Sequence, residues 1–260
     1  MTDLSIILLL ATFGGVLSLS GGILFLLIKK WSLFLAKYSI PFAAGVLLTI
    51  ALVGLLPEAE HLIGEKVFSI VLATIIGAYL FESYLFDLHH HDHDDDNHHG
   101  DHSSKKQQQP EAKKSSAIFV VFGDTLHNLI DGVAIASSYL VNPALGLATA
   151  FSTFLHEVPH EIGDFGILLK LGFSRKRILL INFFSSLSTL LGAALVYFWF
   201  ASDNFSGFFL AVASGMFLYL GASDFLPQLR TNKDKNRMIL ALLLGVTTMY
   251  LALQLVAHQH

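Results

Sequence analysis

The sequence predicts an all-α, polytopic membrane protein with eight transmembrane helices. Three observations predict it. The 260-residue chain is 53% hydrophobic and only 14% charged, with a mean hydropathy of +0.61, against about 25% charged residues in soluble domains. Eight stretches approach the roughly 20 apolar residues that cross a bilayer as a helix. The basic residues also fall in every second connection between those stretches. Lipid offers the backbone no hydrogen bonds, so helices are the default, and the alternating polarity of a barrel is absent.

Span 1 covers 4–28. Its apolar run begins at Leu4 with no basic start, which reads as an uncleaved helix rather than a signal peptide. Spans 2 and 3 cover 38–57 and 67–87, spans 4 and 5 cover 117–140 and 145–169, and spans 6 to 8 cover 178–199, 208–229 and 238–257. The chain thus divides into spans 1–3 (1–88), a polar loop (89–116), spans 4–5 (117–170) and spans 6–8 (171–260). With the N-terminus outside, the inward connections carry Lys29, Lys30 and Lys37, then Lys105, Lys106, Lys113 and Lys114, then Lys170, Arg175, Lys176 and Arg177, then Arg230, Lys233, Lys235 and Arg237. Of the 16 basic residues only Lys66 lies outside. This positive-inside bias predicts both termini outside and the loop after span 3 in the cytoplasm.

An internal repeat runs at an offset of 170. "GVLLTIALVGLLPEA" (45–59) aligns with "GMFLYLGASDFLPQL" (215–229), matching Pro57 to Pro227, and Ser18 and Gly22 align with Ser188 and Gly192. Span 1 pairs with span 6 and span 2 with span 7, in opposite directions, as in inverted-repeat transporters. Spans 3 and 8 show no convincing match. Spans 4 and 5 have no partner and are expected between the repeats.

Spans 4 and 5 hold the unusual residues. "GDTLHNLIDG" places His127 and Asp131 at i and i+4, on one helical face, with Asn128 beside them and Asp124 one turn back. "HEVPHEIGD" supplies His156, Glu157, His160 and Glu161, two further i, i+4 pairs. A charged side chain at mid-bilayer costs about 2.5–3.5 kcal/mol on insertion scales, so several together call for pairing or a metal. Imidazole and carboxylate on two adjacent helices match a divalent-metal site. The chain has no cysteine, which excludes thiolate ligands and disulfides and keeps the donors N/O.

"HEVPH" also fits HExxH, in which two histidines bind zinc and the glutamate is a general base. An intramembrane zinc metalloprotease is therefore one alternative, and a metal sensor without flux is another. Pro159 inside the motif would distort a helix holding both histidines, and Asn128 and Glu161 are surplus to a protease. An enzyme is not expected. Residues 89–102, "HHHDHDDDNHHGDH", hold seven histidines and five aspartates. That composition predicts a disordered, metal-binding cytoplasmic segment. No Walker-type P-loop is present.

These motifs resemble the Zrt/Irt-like (ZIP) divalent-metal transporters, in the HExPHE branch. The likeness runs through "LLPEAE", "FES" before the histidine-rich loop, "GDTLHNLIDGVAIA", "HEVPHEIGDFGILLKLGFS" and "GMFLYLGASDFLPQL". The resemblance implies a 3+2+3 arrangement of eight helices, with spans 1–3 and 6–8 as inverted repeats around spans 4–5. It also implies a homodimer and metal uptake into the cytoplasm by an elevator motion of spans 1, 4, 5 and 6 against spans 2, 3, 7 and 8. Its binuclear site would fall on His127, Asp131, His156 and His160 for one metal, and on Asn128, Asp131 and Glu157 for the other, with Glu161 adjacent. Some members add a glutamate from span 6, where this chain has Thr189, and Gln228 stands where span 7 usually has glutamate. Zn2+ is the expected substrate; Fe2+, Mn2+ and Cd2+ accept the same ligands. Membrane lipid is the expected surrounding, in a plasma or inner membrane, and no nucleic-acid partner is expected.

Overall fold

The computed structural model of the chain describes residues 2–27, 29–90, 110–229 and 234–257. Ten α-helices and no strand occur among them. The histidine-rich segment lies almost wholly outside the described residues.

Span 1 is α1 (Asp3–Gly14), a short 3-10 turn (Val16–Ser18) and α2 (Leu19–Leu27). Span 2 is α3 (Lys29–Thr49), a π-helical stretch (Ile50–Leu55) and α4 (Leu56–Ile63). Gly64 then turns the chain at φ +67°, a left-handed conformation that glycine adopts without strain. Span 3 is α5 (Lys66–His90), span 4 is α6 (Pro110–Val141) and span 5 is α7 (Pro143–Lys170). α6 starts at Pro110, seven residues ahead of the expected span. Span 6 is α8 (Arg175–Trp199). Span 7 is α9 (Asp203–Tyr219), a second π-helical stretch (Leu220–Phe225) and a 3-10 turn (Leu226–Leu229). Span 8 is α10 (Lys235–Ala257).

Seven of the eight expected spans are long and apolar enough to cross a membrane. α7 falls short in apolarity, because its serines, threonines, histidines and acids dilute it. Its 28 residues still extend about 42 Å at 1.5 Å per residue, and most of them are buried inside the bundle. The outer surface is apolar: Leu72, Tyr84, Leu240 and Leu255 are among many large side chains that point away from the protein. The chain is a polytopic, all-α membrane protein.

The inverted repeat is visible in the backbone. The two π-helical stretches, 50–55 and 220–225, stand 170 residues apart. Leu56 N–H bonds the Ala51 carbonyl, and Leu226 N–H bonds the Gly221 carbonyl, again 170 apart. Each stretch precedes a proline. Pro57 and Pro227 lack an N–H and would crowd the carbonyl four residues back, and a widened turn relieves both.

The repeated glycines also do the same work twice. A Cβ on Gly22 would meet Phe165 of span 5 at 2.7 Å, and one on Gly192 would meet the Leu129 carbonyl of span 4 at 2.2 Å. Gly45 abuts the Leu242 carbonyl of span 8, and Gly215 abuts Val71 and Thr74 of span 3. Neighbours exchange accordingly. Span 8 packs on span 2 as span 3 packs on span 7, and span 4 packs on span 6 as span 5 packs on span 1. Spans 4 and 5, which lack a sequence match, thus exchange places with each other under the same pseudo-twofold.

Two packing neighbourhoods result. Spans 2, 3, 7 and 8 share a large apolar core around Leu47, Ile50, Leu55, Leu210 and Phe217, which spans 4 and 5 also enter through Ala134, Leu145 and Ala148. Spans 1, 4, 5 and 6 meet through smaller apolar clusters, around Ile7 and Val196 at one end and Phe165 and Ile178 at the other. Hydroxyl contacts join these spans between the clusters: Thr149 donates to Ser138 at 3.0 Å and Ser188 donates to the Thr125 carbonyl at 2.9 Å. Small and hydroxylated residues suit helix contacts in lipid, where close approach and hydrogen bonds replace the hydrophobic effect.

Candidate metal centre

The centre is built by an antiparallel helix pair with a one-residue joint. α6 ends at Val141 and α7 starts at Pro143. Asn142 caps α7: its side-chain oxygen accepts from the Ala144 N–H at 2.9 Å and the Leu145 N–H at 3.3 Å. Pro143 occupies the first turn, where its missing N–H costs nothing. So short a connection fixes the register of the two helices and sets His127 and Asp131 against His156 and Glu157. α7 stays helical through Pro159, which leaves the Leu155 carbonyl without its helical donor.

Two groups of ligand-type atoms converge. In the first, atoms of His127, Asp131, His156 and Glu157 all lie within 4.8 Å of one another. His127 Nε2 is 2.9 Å from Glu157 Oε1, and His156 Nε2 is 3.1 Å from Asp131 Oδ2. The two Nε2 atoms are 3.3 Å apart. Apart from these imidazoles, no oxygen of Asp131 or Glu157 has a partner among the described residues. Asp131, His156 and Glu157 have no exposed surface. The second group is Asp124, Glu157 and His160, so Glu157 belongs to both.

His156 is oriented from behind. Its Nδ1 lies 2.9 Å from the Ser152 carbonyl. A carbonyl only accepts, so Nδ1 is the donor here, and Nε2 is the nitrogen that faces the cluster. Metal-binding histidines are typically held in this way. On the far side the ring meets Phe217 of span 7, edge to face at 5.3 Å.

The grouping of the sequence-predicted residues differs from the expected one. His127, Asp131 and His156 come together as expected, but Glu157 joins them. His160 turns instead toward Asp124, with Nδ1 3.8 Å from Oδ1, and toward Asp164 at 3.9 Å. Asn128 is engaged on both sides of its amide: Thr189 Oγ1 donates to its oxygen at 3.0 Å, and its nitrogen donates to Asp124 Oδ1 at 2.9 Å. Asn128 therefore aims the Asp124 carboxylate. Glu161 is fully buried and neither oxygen is hydrogen-bonded among the described residues, yet it enters neither group.

Sequence reasoning left Asp124 and Asp164 out of the site. The signal was present, since Asp124 is four residues before Asn128 and Asp164 four after His160, the spacing that marks one helical face. A cavity of about 410 Å³ adjoins the centre. His127 and His160 line one wall; Glu82 of span 3 and Tyr219 of span 7 line the other, with the Tyr219 hydroxyl hydrogen-bonded to Glu82.

The family model for the ZIP zinc transporters matches residues 84–253 of the chain. Mouse zinc transporter ZIP4 is 38% identical over 127 residues, 49% of this chain and 19% of that protein. Rat metal cation symporter ZIP8 is 40% identical over 114 residues, 44% of this chain and 24% of that protein. The Drosophila melanogaster zinc transporter foi is 33% identical over 130 residues, 50% of this chain and 18% of that protein. The aligned part of the chain thus spans about a fifth of the length of these curated relatives. With the match covering well over half of its length, and with both histidine-bearing motifs inside the matched region, the chain belongs to the ZIP zinc transporter family.

Proposed function

We propose that the chain carries Zn2+ across its membrane into the cytoplasm, with Fe2+, Mn2+ and Cd2+ as competing substrates. The observation that carries this reading is the buried cluster of His127, Asp131, His156 and Glu157, whose carboxylate oxygens find no donors except imidazole. Buried acids at this depth are costly without compensation, and a divalent cation supplies it. His160 with Asp124 forms a second position, bridged to the first by Glu157, and Asn128 holds its Asp124 carboxylate. Donors limited to nitrogen and oxygen bind zinc without the hold of thiolate, which suits an ion that must leave. The cavity between His127, His160 and Glu82 supplies room beside the site.

An elevator motion of spans 1, 4, 5 and 6 against spans 2, 3, 7 and 8 is proposed on the family resemblance; its sliding surface would include Ala134, Leu145 and Ala148, which pack on the core of the other four spans. The distribution of basic residues supports an orientation with both termini outside and the histidine-rich loop in the cytoplasm, in a plasma or inner membrane. A homodimer is proposed on the family resemblance. The protease reading is disfavoured by geometry. An HExxH enzyme needs both histidines on one ion, whereas His156 and His160 fall in different groups, and Glu157 is within ligand range of both groups rather than held off as a base.

Purified protein in liposomes, with a zinc indicator inside and zinc added outside, tests the reading, with a peptide substrate assayed in parallel. The expected result is zinc entry without nucleotide and an intact peptide. Binding without entry would indicate a sensor, and cleavage a protease.

Glu157→Gln is expected to weaken both metal-binding events, because one carboxylate serves both groups. Titration with zinc would show two lowered affinities; an untouched tighter event would place Glu157 in the second group alone. Protons should also compete with zinc. Imidazole titrates near pH 6.5 in model peptides and must be neutral at the binding nitrogen. Apparent zinc affinity should fall from about pH 7.5 to about pH 5.5. Calorimetry in buffers of different ionisation enthalpy counts the protons released, and zero release across that range would remove the histidines from the ligand set.

A further inference from the structure

A cavity of about 890 Å³, twice that beside the metal centre, lies between spans 2, 5 and 8. Its walls are hydrocarbon, from Phe42 of α3, Phe154 and Pro159 of α7, and Leu240 and Leu244 of α10. Leu240 and Leu244 are 67% and 58% exposed, so the crevice opens sideways onto the apolar outer surface and not into the bundle.

Its polar lining is confined to one end. Tyr38 and Ser39 begin span 2, and Arg237 begins span 8. Arg237 is hydrogen-bonded to Tyr38. The neighbouring acid, Asp234, is ion-paired with Lys37 and also attracts Arg237, so two cations share one carboxylate and this end of the groove keeps one net positive charge. From Arg237 to Leu244 the crevice descends about 10 Å at 1.5 Å per helical residue.

We propose that this crevice binds an anionic phospholipid, its phosphate at Arg237 and an acyl chain laid along Phe42, Leu240 and Leu244 against Pro159. The polarity of the groove is that of the lipid, with a cation and hydroxyls at the membrane edge and hydrocarbon below. A second protein copy would meet the apolar strip as well, and the test below separates the two occupants. The lipid chain would touch the helix that carries His156 and His160, so the bilayer would contact the metal-bearing helix directly. Lipid binding here does not depend on metal transport, and its readout needs no metal.

The test is native mass spectrometry of the detergent-solubilised full chain, exchanged against phosphatidylglycerol and phosphatidylcholine of identical acyl chains. A basic residue near the membrane surface is worth about 1 kcal/mol toward anionic lipid, which is about a fivefold preference for phosphatidylglycerol. Arg237→Gln should bring the preference close to one, Arg237→Lys should keep it, and Ala241→Trp, which fills the crevice, should reduce retention of both lipids. Equal retention of the two lipids by the unaltered protein, or a preference that survives Arg237→Gln, would overturn the proposal. The chain has no cysteine, so Leu240→Cys provides a single probe. Rapid disulfide formation between chains in membranes would put a second copy over the groove and also overturn it.

Discussion

His127→Ala and Asp131→Ala proteins, reconstituted in liposomes, are expected to carry less than about one-hundredth of the unaltered zinc flux while remaining folded and inserted. Loss of a partner one shell outside a metal already costs about 10- to 100-fold, and these two residues are in the cluster itself. His127 Nε2 lies 2.9 Å from Glu157 and 3.8 Å from Asp131, and Asp131 lies 3.1 Å from His156. Removing either leaves the remaining donors unable to surround an ion. Folding should survive, because the helix pair is held by the Asn142 joint and by hydroxyl contacts away from the cluster. Circular dichroism and monodisperse elution would establish that. Normal flux through well-folded His127→Ala protein would sink the assignment.

Gly132→Ala is expected to prevent accumulation of folded protein, or to lower its thermal midpoint sharply. A Cβ at Gly132 would stand 1.9 Å from the Thr189 carbonyl oxygen and 3.0 Å from the Ala193 nitrogen. The obstacle is backbone, not the tip of a flexible side chain, so spans 4 and 6 must separate. Overpacking of this kind costs about 1–3 kcal/mol or more. Separation would also pull Thr189 from Asn128, and hence disturb the Asp124 carboxylate that Asn128 aims. Gly77 is the control, since a Cβ there meets nothing within 4 Å; Gly77→Ala should melt like the unaltered protein. Equal midpoints for the two variants would mean that spans 4 and 6 are not packed as closely as described.

Much of this protein is written in its sequence. Lipid requires long apolar helices, so span number follows from hydropathy alone, save that α7 is recognised by its length and position rather than its apolarity. The offset of 170 is legible at Gly22/Gly192, Gly45/Gly215 and Pro57/Pro227, where a bulky or N–H-bearing residue would not serve. His127, Asp131, His156 and Glu157 stand out because acids and imidazoles are rare in apolar helices. Tertiary structure decided the rest. Whether spans 4 and 5 join the symmetry depends on what they pack against, which no residue match records. Which ligand shares which group depends on the rotation of two helices about their axes, and a helical face fixes only the neighbours on its own helix. His160 therefore turns to Asp124 on α6 and leaves Glu157 to complete the first group. Asn128, polar and well placed by spacing, has its amide taken up by Thr189 and Asp124, because span 6 packs close enough, through Gly132 and Gly192, to bring the Thr189 hydroxyl within reach.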